Sequence, residues 1–120
     1  MSENNLKNKS FLFALEIVKT CRELQTEQKE YILSNQLLKS GTSIGALYRE
    51  AQHAESDKDF IHKLSIAQKE SNESIYWLEL MEASGLIAQE KFNNLNSICI
   101  ELIKMLTSII KTSKSKLNTK

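Results

Sequence analysis

Glu50 and His53 are the pair of residues in this sequence whose types and spacing best match a catalytic arrangement. Di-iron four-helix bundles carry a Glu-x-x-His motif on each of two helices, together with further inward-facing glutamates. This chain has one such motif, and the nearest other carboxylate pair is Glu70 with Glu73. With two histidines in the whole chain, a His-rich metal site is excluded. We therefore predict no metal site and place Glu50 beside a helix seam, facing solvent.

Nucleophilic side chains give no better support for catalysis. The serines with helical spacing are Ser40, Ser43, Ser65, Ser71 and Ser74. Their positions follow the core-facing repeat of a helix, so packing explains them. Cys21 and Cys99 are predicted to be reduced, buried thiols that behave as small hydrophobic groups. No glycine-rich loop follows a strand, so we predict a protein without catalytic activity, cofactor or small-molecule substrate.

The elements that carry these residues are predicted to be a few long helices. The chain has 120 residues, no proline and three glycines, which leaves little turn chemistry for a β protein. This length suits one domain with a single core. No apolar run is long enough to span a membrane, and the first ten residues contain no hydrophobic signal region. We therefore expect a cytoplasmic protein.

Hydrophobic periodicity predicts an all-α, antiparallel up-and-down four-helix bundle. The core positions predicted on helix 1 are Phe11, Ala14, Leu15, Val18 and Cys21, with Phe13, Ile17 and Leu24 beside them. On helix 2 they are Leu33, Leu37, Ser40, Ile44, Leu47, Ala51 and Ala54. On helix 3 they are Phe60, Leu64, Ala67, Ser71, Ser74, Leu78 and Met81. On helix 4 they are Phe92, Leu95, Cys99, Leu102, Leu106 and Ile109, widened by Ile98, Met105 and Ile110.

Capping residues set the predicted boundaries. Ser10 is a plausible N-cap for helix 1, which leaves residues 1–9 as a flexible N-terminus. Ser56-x-x-Asp59 resembles a capping box for helix 3, and Gly85 fits a C-terminal glycine cap. Helix 4 is predicted to end near Lys111. The bundle domain then spans residues 10–111, and residues 112–120 form a flexible basic tail.

Two interior glycines mark a predicted close contact of helix 2. Gly41 and Gly45 each weaken a helix by ~1 kcal/mol relative to alanine, so the approach of another backbone is expected to offset them. Folding the chain about residue 56 places helix 3 beside helix 2. That arrangement predicts two salt bridges, Glu50–Lys63 and Lys39–Glu73, each worth only ~0–1 kcal/mol because it is exposed.

Helix 3 carries a second apolar stripe outside its core positions. Its members are Ile66, Tyr76, Trp77 and Leu80. One interpretation is a broad buried face of a monomeric bundle. The other, which we favour, is an interface for self-association, because Trp and Tyr are enriched at protein interfaces and one neighbouring helix cannot cover this stripe fully.

Charge is unevenly distributed along the chain. The net charge is +1, which is a poor starting point for tight binding to nucleic acid, but residues 88–120 have an excess of lysine. The candidate nucleic-acid contacts are Lys19, Arg22, Arg49, Lys111, Lys114 and Lys116. These residues form either an ordinary solvated surface or, when repeated by symmetry in a ring, a larger positive surface.

The segment spanning helices 2 and 3 resembles a known family. The matching residues are Ser40-Gly41-Thr42-Ser43-Ile44-Gly45, Glu50-Ala51-Gln52, Ser56, Lys58-Asp59-Phe60-Ile61, Lys63, Ser65-Ile66-Ala67, Lys69-Glu70, Glu73 and Tyr76-Trp77-Leu78. Together they resemble the 23S rRNA intervening-sequence proteins, small bacterial four-helix bundle proteins, over about residues 11–110. This chain departs from the family pattern at Leu47, where an asparagine is usual.

The resemblance implies a ring-shaped assembly, a homopentamer, without catalytic activity. It also implies nucleic acid as a candidate partner, because a related protein serves as an accessory to the reverse transcriptase of diversity-generating retroelements and looks like a basic nucleic-acid-binding protein. We therefore expect a non-enzymatic oligomeric bundle that serves as a scaffold or binding module. The alternative is an RNA- or DNA-binding accessory factor.

Overall fold

Four helices account for nearly all of the chain. The computed structural model describes the backbone of residues 3–118 and the side chains of residues 5–118. These residues form α1 (Glu3–Glu27), α2 (Ile32–Gln52), α3 (Asp57–Ala83) and α4 (Gln89–Asn118), and they contain no strand. Each helix packs against the next one, and α4 also packs against α1. Side-by-side packing of helices this long gives a narrow bundle of 53 × 22 × 20 Å.

A glutamate, which sequence reasoning did not identify, caps the start of α2. The Glu30 carboxylate accepts hydrogen bonds from the backbone N–H groups of Ile32, Leu33 and Ser34, at 2.8–3.1 Å. A carboxylate suits this place because the N-terminal N–H groups of a helix lack partners and carry partial positive charge. Lys29, just before it, has a φ of 55°, which turns the chain sharply between α1 and α2.

The other two connections follow the predicted capping chemistry. Ser56 is the N-cap of α3, and its hydroxyl accepts from the backbone N–H of Asp59 at 3.0 Å. At the far end, Gly85 has a φ of 80°. The backbone N–H of Leu86 donates to the carbonyl of Met81 at 2.8 Å, which completes a glycine-dependent C-cap.

Two predicted boundaries are wrong. α1 begins at Glu3, seven residues before Ser10, and α4 continues to Asn118, beyond the predicted end at Lys111. Ser10 does not cap a helix: it is buried inside α1, and its hydroxyl donates to the Lys7 carbonyl at 3.1 Å. Leu6 lies in the core, which explains why the helix starts early. Of the predicted flexible segments, residues 1–2 and 119–120 lie outside the described residues.

The predicted core face of α1 is also wrong. The residues of α1 that lie in the hydrophobic core are Leu6, Phe13, Ile17, Cys21 and Leu24. Phe11 and Leu15, predicted to face the core, have 56% and 42% of their surface exposed. The helix is apolar on two sides, and polar Ser10 and Thr20 interrupt the stripe that is buried. Periodicity alone therefore favoured the wrong side.

The remaining three helices bury most of the predicted positions. On α3, Ile61 takes the place predicted for Phe60, and the other six predicted residues are buried. On α2, the core includes Ser34, Gly41 and Tyr48, whereas Leu33 and Leu47 are half-buried beside it. The buried residues of α4 are Leu95, Cys99, Leu102, Met105, Leu106 and Ile110. They include every predicted core residue of this helix except Phe92, Ile98 and Ile109.

Gly41 and Gly45 allow α1 to approach α2 closely. A Cβ atom at Gly41 would lie 2.9 Å from Cγ1 and 3.0 Å from Cγ2 of Ile17, which is too close for undisturbed packing. A Cβ atom at Gly45 would lie 3.1 Å from the Ser10 hydroxyl oxygen. The glycines thus fit the branched side chain of Ile17 and the small side chain of Ser10, as the sequence predicted in outline.

The described part of the chain contains no helix with the length and apolar character needed to cross a membrane.

We expect Gly41→Ala to lower the free energy of unfolding by up to about 2 kcal/mol. Overpacking against Ile17 costs roughly 1–3 kcal/mol, and the gain in helix propensity is about 1 kcal/mol. Urea unfolding of the wild type and the variant measures this difference.

The matched control is Gly45→Ala, where the nearest atom belongs to a hydroxyl group that can rotate away. It should be close to neutral. In an Ile17→Ala background, which removes both close atoms, Gly41→Ala should no longer be destabilising. A cost that persists there would show that Ile17 is not the cause.

Candidate functional site

The structure places the candidate metal-binding pair at the end of α2. Glu50 lies on the exposed side of the helix, and its carboxylate is 3.5 Å from Lys63 Nζ, the pairing expected from the sequence. His53 is the exposed C-cap residue of the same helix. No group of three or more His, Cys, Asp or Glu side chains in the described residues is arranged to hold a metal ion.

The serines are occupied by hydrogen bonds within the bundle. Ser40 and Ser74 meet between α2 and α3, with their hydroxyl oxygens 2.9 Å apart. Ser74 Oγ is also 2.9 Å from the Glu70 carbonyl oxygen, and Ser71 donates to the Ala67 carbonyl at 2.8 Å. Ser43 and Ser65 likewise donate to carbonyl groups one turn earlier in their own helices. Ser40, Ser71 and Ser74 are buried, as predicted, whereas Ser43 and Ser65 are half-buried.

Both cysteines are free, buried and protonated at neutral pH. The Cys21 thiol donates to the Ser34 carbonyl and the Cys99 thiol donates to the Ser71 carbonyl, each at 3.3 Å. Burial raises the pKa of each thiol from 9.0 to about 12, and the negative charge of Glu30 contributes at Cys21. A thiol with such a pKa is a poor nucleophile and a poor metal ligand.

A small cleft lies between the end of α1 and the connection before α4. Its volume is about 110 Å³, and its lining includes Thr20, Glu23, Glu27 and Lys91. The hydroxyl oxygen of Thr20 is buried without a hydrogen-bond partner in the protein. The cleft has room for a few water molecules.

The second stripe of α3 lies outside the buried core and remains partly exposed. Trp77 donates through Nε1 to the Glu73 carboxylate at 3.3 Å, and the Tyr76 ring meets the Trp77 ring edge-on, with 5.1 Å between centroids. Tyr76 is 56% exposed and Leu80 is 36% exposed. Ile66 and Trp77 are half-buried. We call Glu73, Tyr76, Trp77, Glu79 and Leu80 the acidic apolar face.

Of the two predicted salt bridges, the structure forms only the one at Glu50. Lys39 and Glu73 are not paired. Glu73 instead accepts the hydrogen bond from Trp77, which is on its own helix one turn later. The helix itself holds Trp77 within reach of the Glu73 carboxylate, so Trp77 competes well with the flexible Lys39 of α2 for that carboxylate.

A second exposed apolar surface lies on α1 and includes two residues, Phe11 and Leu15, that the sequence had assigned to the core. Phe11, Leu12 and Leu15 are 56%, 61% and 42% exposed. The Arg49 guanidinium of α2 lies over the Phe11 ring, 5.9 Å from its centroid. We call the following set the basic apolar face: Lys7, Phe11, Leu12, Leu15, Lys19, Arg22 and Arg49. The signal for it was present in the sequence, since α1 is apolar on two sides and only one side can enter the core.

The candidate nucleic-acid contacts form two separate groups. Lys19, Arg22 and Arg49 belong to the basic apolar face, whereas Lys111, Lys114 and Lys116 lie in the last turns of α4. Glu101 of α4 pairs with Lys9 near the start of α1, at 2.7 Å. Lys111 follows Glu101 by almost three turns, so the structure does not bring the two groups together.

Comparison with known proteins identifies one family. The family model described as 23S rRNA-intervening sequence protein matches residues 2–108. The chain is also similar to a solved structure of a protein with unknown function from the S23 ribosomal protein family of Bacteroides thetaiotaomicron VPI-5482. The two are 50% identical, the match covers 92% of this chain and 99% of the other, and the TM-score is 0.91. Comparison with curated proteins gives no significant match.

The raised thiol pKa values predict a loss of stability at alkaline pH. The folded state holds the thiol protons more tightly than the unfolded state, so this stabilisation is complete below pH 9.0 and is lost as pH rises toward about 12. The loss should be roughly 1.4 kcal/mol per thiol per pH unit in that window.

The measurement is urea unfolding at about pH 8 and about pH 10.5, for the wild type and for a Cys21→Ala, Cys99→Ala variant. The wild type should lose more stability than the variant, which lacks both thiols. Equal losses would mean that the thiols have ordinary pKa values in the folded protein.

Proposed function

Because this chain belongs to the 23S rRNA-intervening sequence protein family, we propose that it is a non-enzymatic scaffold or binding module of the cytoplasm. In this proposal the bundle is antiparallel and up-and-down, and copies of it assemble into a ring-shaped homopentamer. The partner it binds most directly is therefore itself. The ring would present each surface feature of the bundle several times around one axis.

Contacts between neighbouring helices support the antiparallel arrangement. Ser40 of α2 meets Ser74 of α3, whereas Glu50, later in α2, meets Lys63, earlier in α3. The residue numbers thus rise on one helix as they fall on the other. Connections of four or five residues between successive helices favour the same arrangement.

The observation that carries the proposed assembly is the apolar surface left uncovered by a single chain. Phe11, Leu12, Leu15 and Tyr76 each expose 42–61% of their surface although the core is well filled. Scattered exposed hydrophobic residues are normal, but clustered ones mark interaction sites. Here they cluster on two helices, and aromatic residues lie within both clusters.

We assign Ile66, Tyr76, Trp77 and Leu80 to the interface between copies. Trp77 should contribute most, because a half-buried tryptophan at the centre of a patch loses the rest of its exposure on assembly. The lone hydrogen bond from its indole to Glu73 fixes the ring in place before the partner arrives. A fixed side chain loses less conformational entropy on binding.

Native mass spectrometry of the untagged protein tests the assembly, and we expect a pentamer. Trp77→Ala should shift the population from pentamer to monomer, because it removes a large apolar contact from the interface. Trp77→Phe, which keeps most of the apolar surface, should retain the pentamer. Circular dichroism of each variant establishes that the helices remain folded.

A monomeric wild type would contradict the proposed assembly. The same spectra report any added mass, so a bound metal ion would be detected directly. A stoichiometric metal ion would instead favour an enzyme built on Glu50 and His53.

The alternative function, an RNA- or DNA-binding accessory factor, is favoured by one feature of α4. This helix continues to Asn118, and Lys104, Lys111 and Lys114 follow one another at spacings of seven and three residues, which places them on one side of the helix. All three are exposed. In a ring, this lysine stripe would be repeated around the axis and present many cations to a phosphate backbone.

Fluorescence anisotropy with a labelled single-stranded RNA, measured over a series of salt concentrations, tests this alternative. Replacing Lys111 and Lys114 with glutamine should weaken binding and make its salt dependence shallower, because fewer counterions are released. Lys29→Gln, an exposed substitution in the α1–α2 connection, is the matched control. Absence of binding by the wild type at low salt would eliminate the alternative.

A further inference from the structure

We propose that the cleft between the end of α1 and the start of α4 binds a small zwitterion, an α-amino acid with a short side chain. Residues of α1, of the α3–α4 connection and of α4 line this cleft. All of them belong to one chain, so the inference does not depend on the proposed assembly. The ligand would be bound without chemical conversion, in keeping with the prediction of a protein without catalytic activity.

Charged side chains of both signs line the cleft without pairing with one another. Glu23 and Glu27 come from α1, and Lys91 comes from α4. Within the part of the chain that the structure describes, no ion pair joins Lys91 to either carboxylate. Opposite charges that face one gap without touching leave room for a ligand that carries both charges itself.

The two kinds of charge lie at different heights along the bundle. Lys9 of α1 pairs with Glu101 of α4 at 2.7 Å, whereas the cleft joins a later part of α1 to an earlier part of α4. This antiparallel course places Lys91 level with about residue 20 of α1. Glu23 and Glu27 lie roughly 5 and 10 Å further toward the end of α1, at the rise of a helix. The cleft thus has a cationic end and an anionic end.

The ends of the two helices reinforce this polarity. α4 begins at Gln89, so Lys91 lies in its first turn, where the backbone N–H groups carry partial positive charge. α1 ends at Glu27, and the carbonyl groups of its last turn carry partial negative charge. A ligand with its carboxylate toward α4 and its ammonium toward the end of α1 matches both helix dipoles.

Thr20 can add a hydroxyl group to the cationic end. It is 2% exposed, it lines the cleft, and its hydroxyl oxygen has no hydrogen-bond partner among the described residues. Thr26, Thr42 and Thr107 instead donate to the carbonyl group four residues earlier in their own helices, at 2.6–2.9 Å. Because the Thr20 hydroxyl gives up no such bond, turning it toward a carboxylate in the cleft gains a charge-assisted hydrogen bond.

The volume and the apolar lining of the cleft restrict the ligand to a small one. A volume of about 110 Å³ corresponds to roughly four water molecules, which suits the roughly five or six non-hydrogen atoms of glycine or alanine. The apolar part of the lining consists of Leu24, which is buried, and of Leu86 and Ile87, which are half-buried. A methyl group suits this lining, whereas a long or aromatic side chain exceeds the volume.

Titration of the full-length wild type with L-alanine, followed by the chemical shifts of the backbone amides, tests the proposal. We expect saturable shifts at Thr20, Ile87 and Lys91. The matched probes are propionate, which lacks only the ammonium group of alanine, and ethylamine, which lacks only its carboxylate. Each should bind about tenfold more weakly or worse, because each loses the hydrogen bonds of one charged group.

Variants of the lining identify the two ends of the site. Lys91→Gln and Glu27→Gln should each raise the dissociation constant for L-alanine about tenfold. Lys104→Gln, an exposed substitution on α4 outside the cleft, is the matched control and should leave it unchanged. Thr20→Val should also weaken binding, and it should leave the Tm of the ligand-free protein equal or higher, because it removes a buried hydroxyl group that has no partner.

Four results would overturn the inference. Absence of saturable shifts with L-alanine up to about 50 mM would mean that the cleft holds only water. Ethylamine that binds as tightly as L-alanine would make the cleft a simple cation site, and undiminished binding by Lys91→Gln would remove the cationic end. A lower Tm of ligand-free Thr20→Val would show that the hydroxyl group already has a partner in the folded protein.

Discussion

The close contact between α1 and α2 determines which surfaces this bundle leaves exposed. Ile17 packs over Gly41 at a distance that excludes even one methyl group, and Ser10 lies over Gly45. These two contacts fix the rotation of α1 about its own axis. Because α1 is apolar on two sides, fixing that rotation places Phe13 in the core and Phe11 on the surface. The exposed apolar surface of α1 is thus a consequence of glycines on another helix.

The same dependence explains how much of the fold the sequence could predict. On α3, the residues at core spacing are all small or apolar, so periodicity identified Leu64, Ser71 and Leu78 as core residues without reference to any neighbour. The caps at Ser56 and Gly85 could also be predicted, since each depends on the chemistry of a few adjacent residues. The buried side of α1 is decided by the shape of α2, which the periodicity of α1 does not contain.

The same distinction explains which residues of the candidate site the sequence could identify. Tyr76 and Trp77 were recognisable because they lie outside a core stripe that was already assigned, and the structure leaves Tyr76 exposed. Phe11 could not be recognised in this way because it had been placed in the core. The pairing of Glu73 was also missed, because a contact one turn away on the same helix, with Trp77, competes with the contact to Lys39 between helices.

Stability of a single chain does not explain the second apolar side of α1. Phe13 and Ile17 already fill the position between α1 and its neighbours, and both are fully buried. Phe11 and Leu12, with more than half of their surface exposed, add little to the folding free energy because that contribution is proportional to the area removed from water. The same residues contribute fully when another surface covers them. A helix that is apolar on two sides, beside a helix whose glycines select one side for the core, keeps its other side on the surface, where the assembly proposed above would cover it.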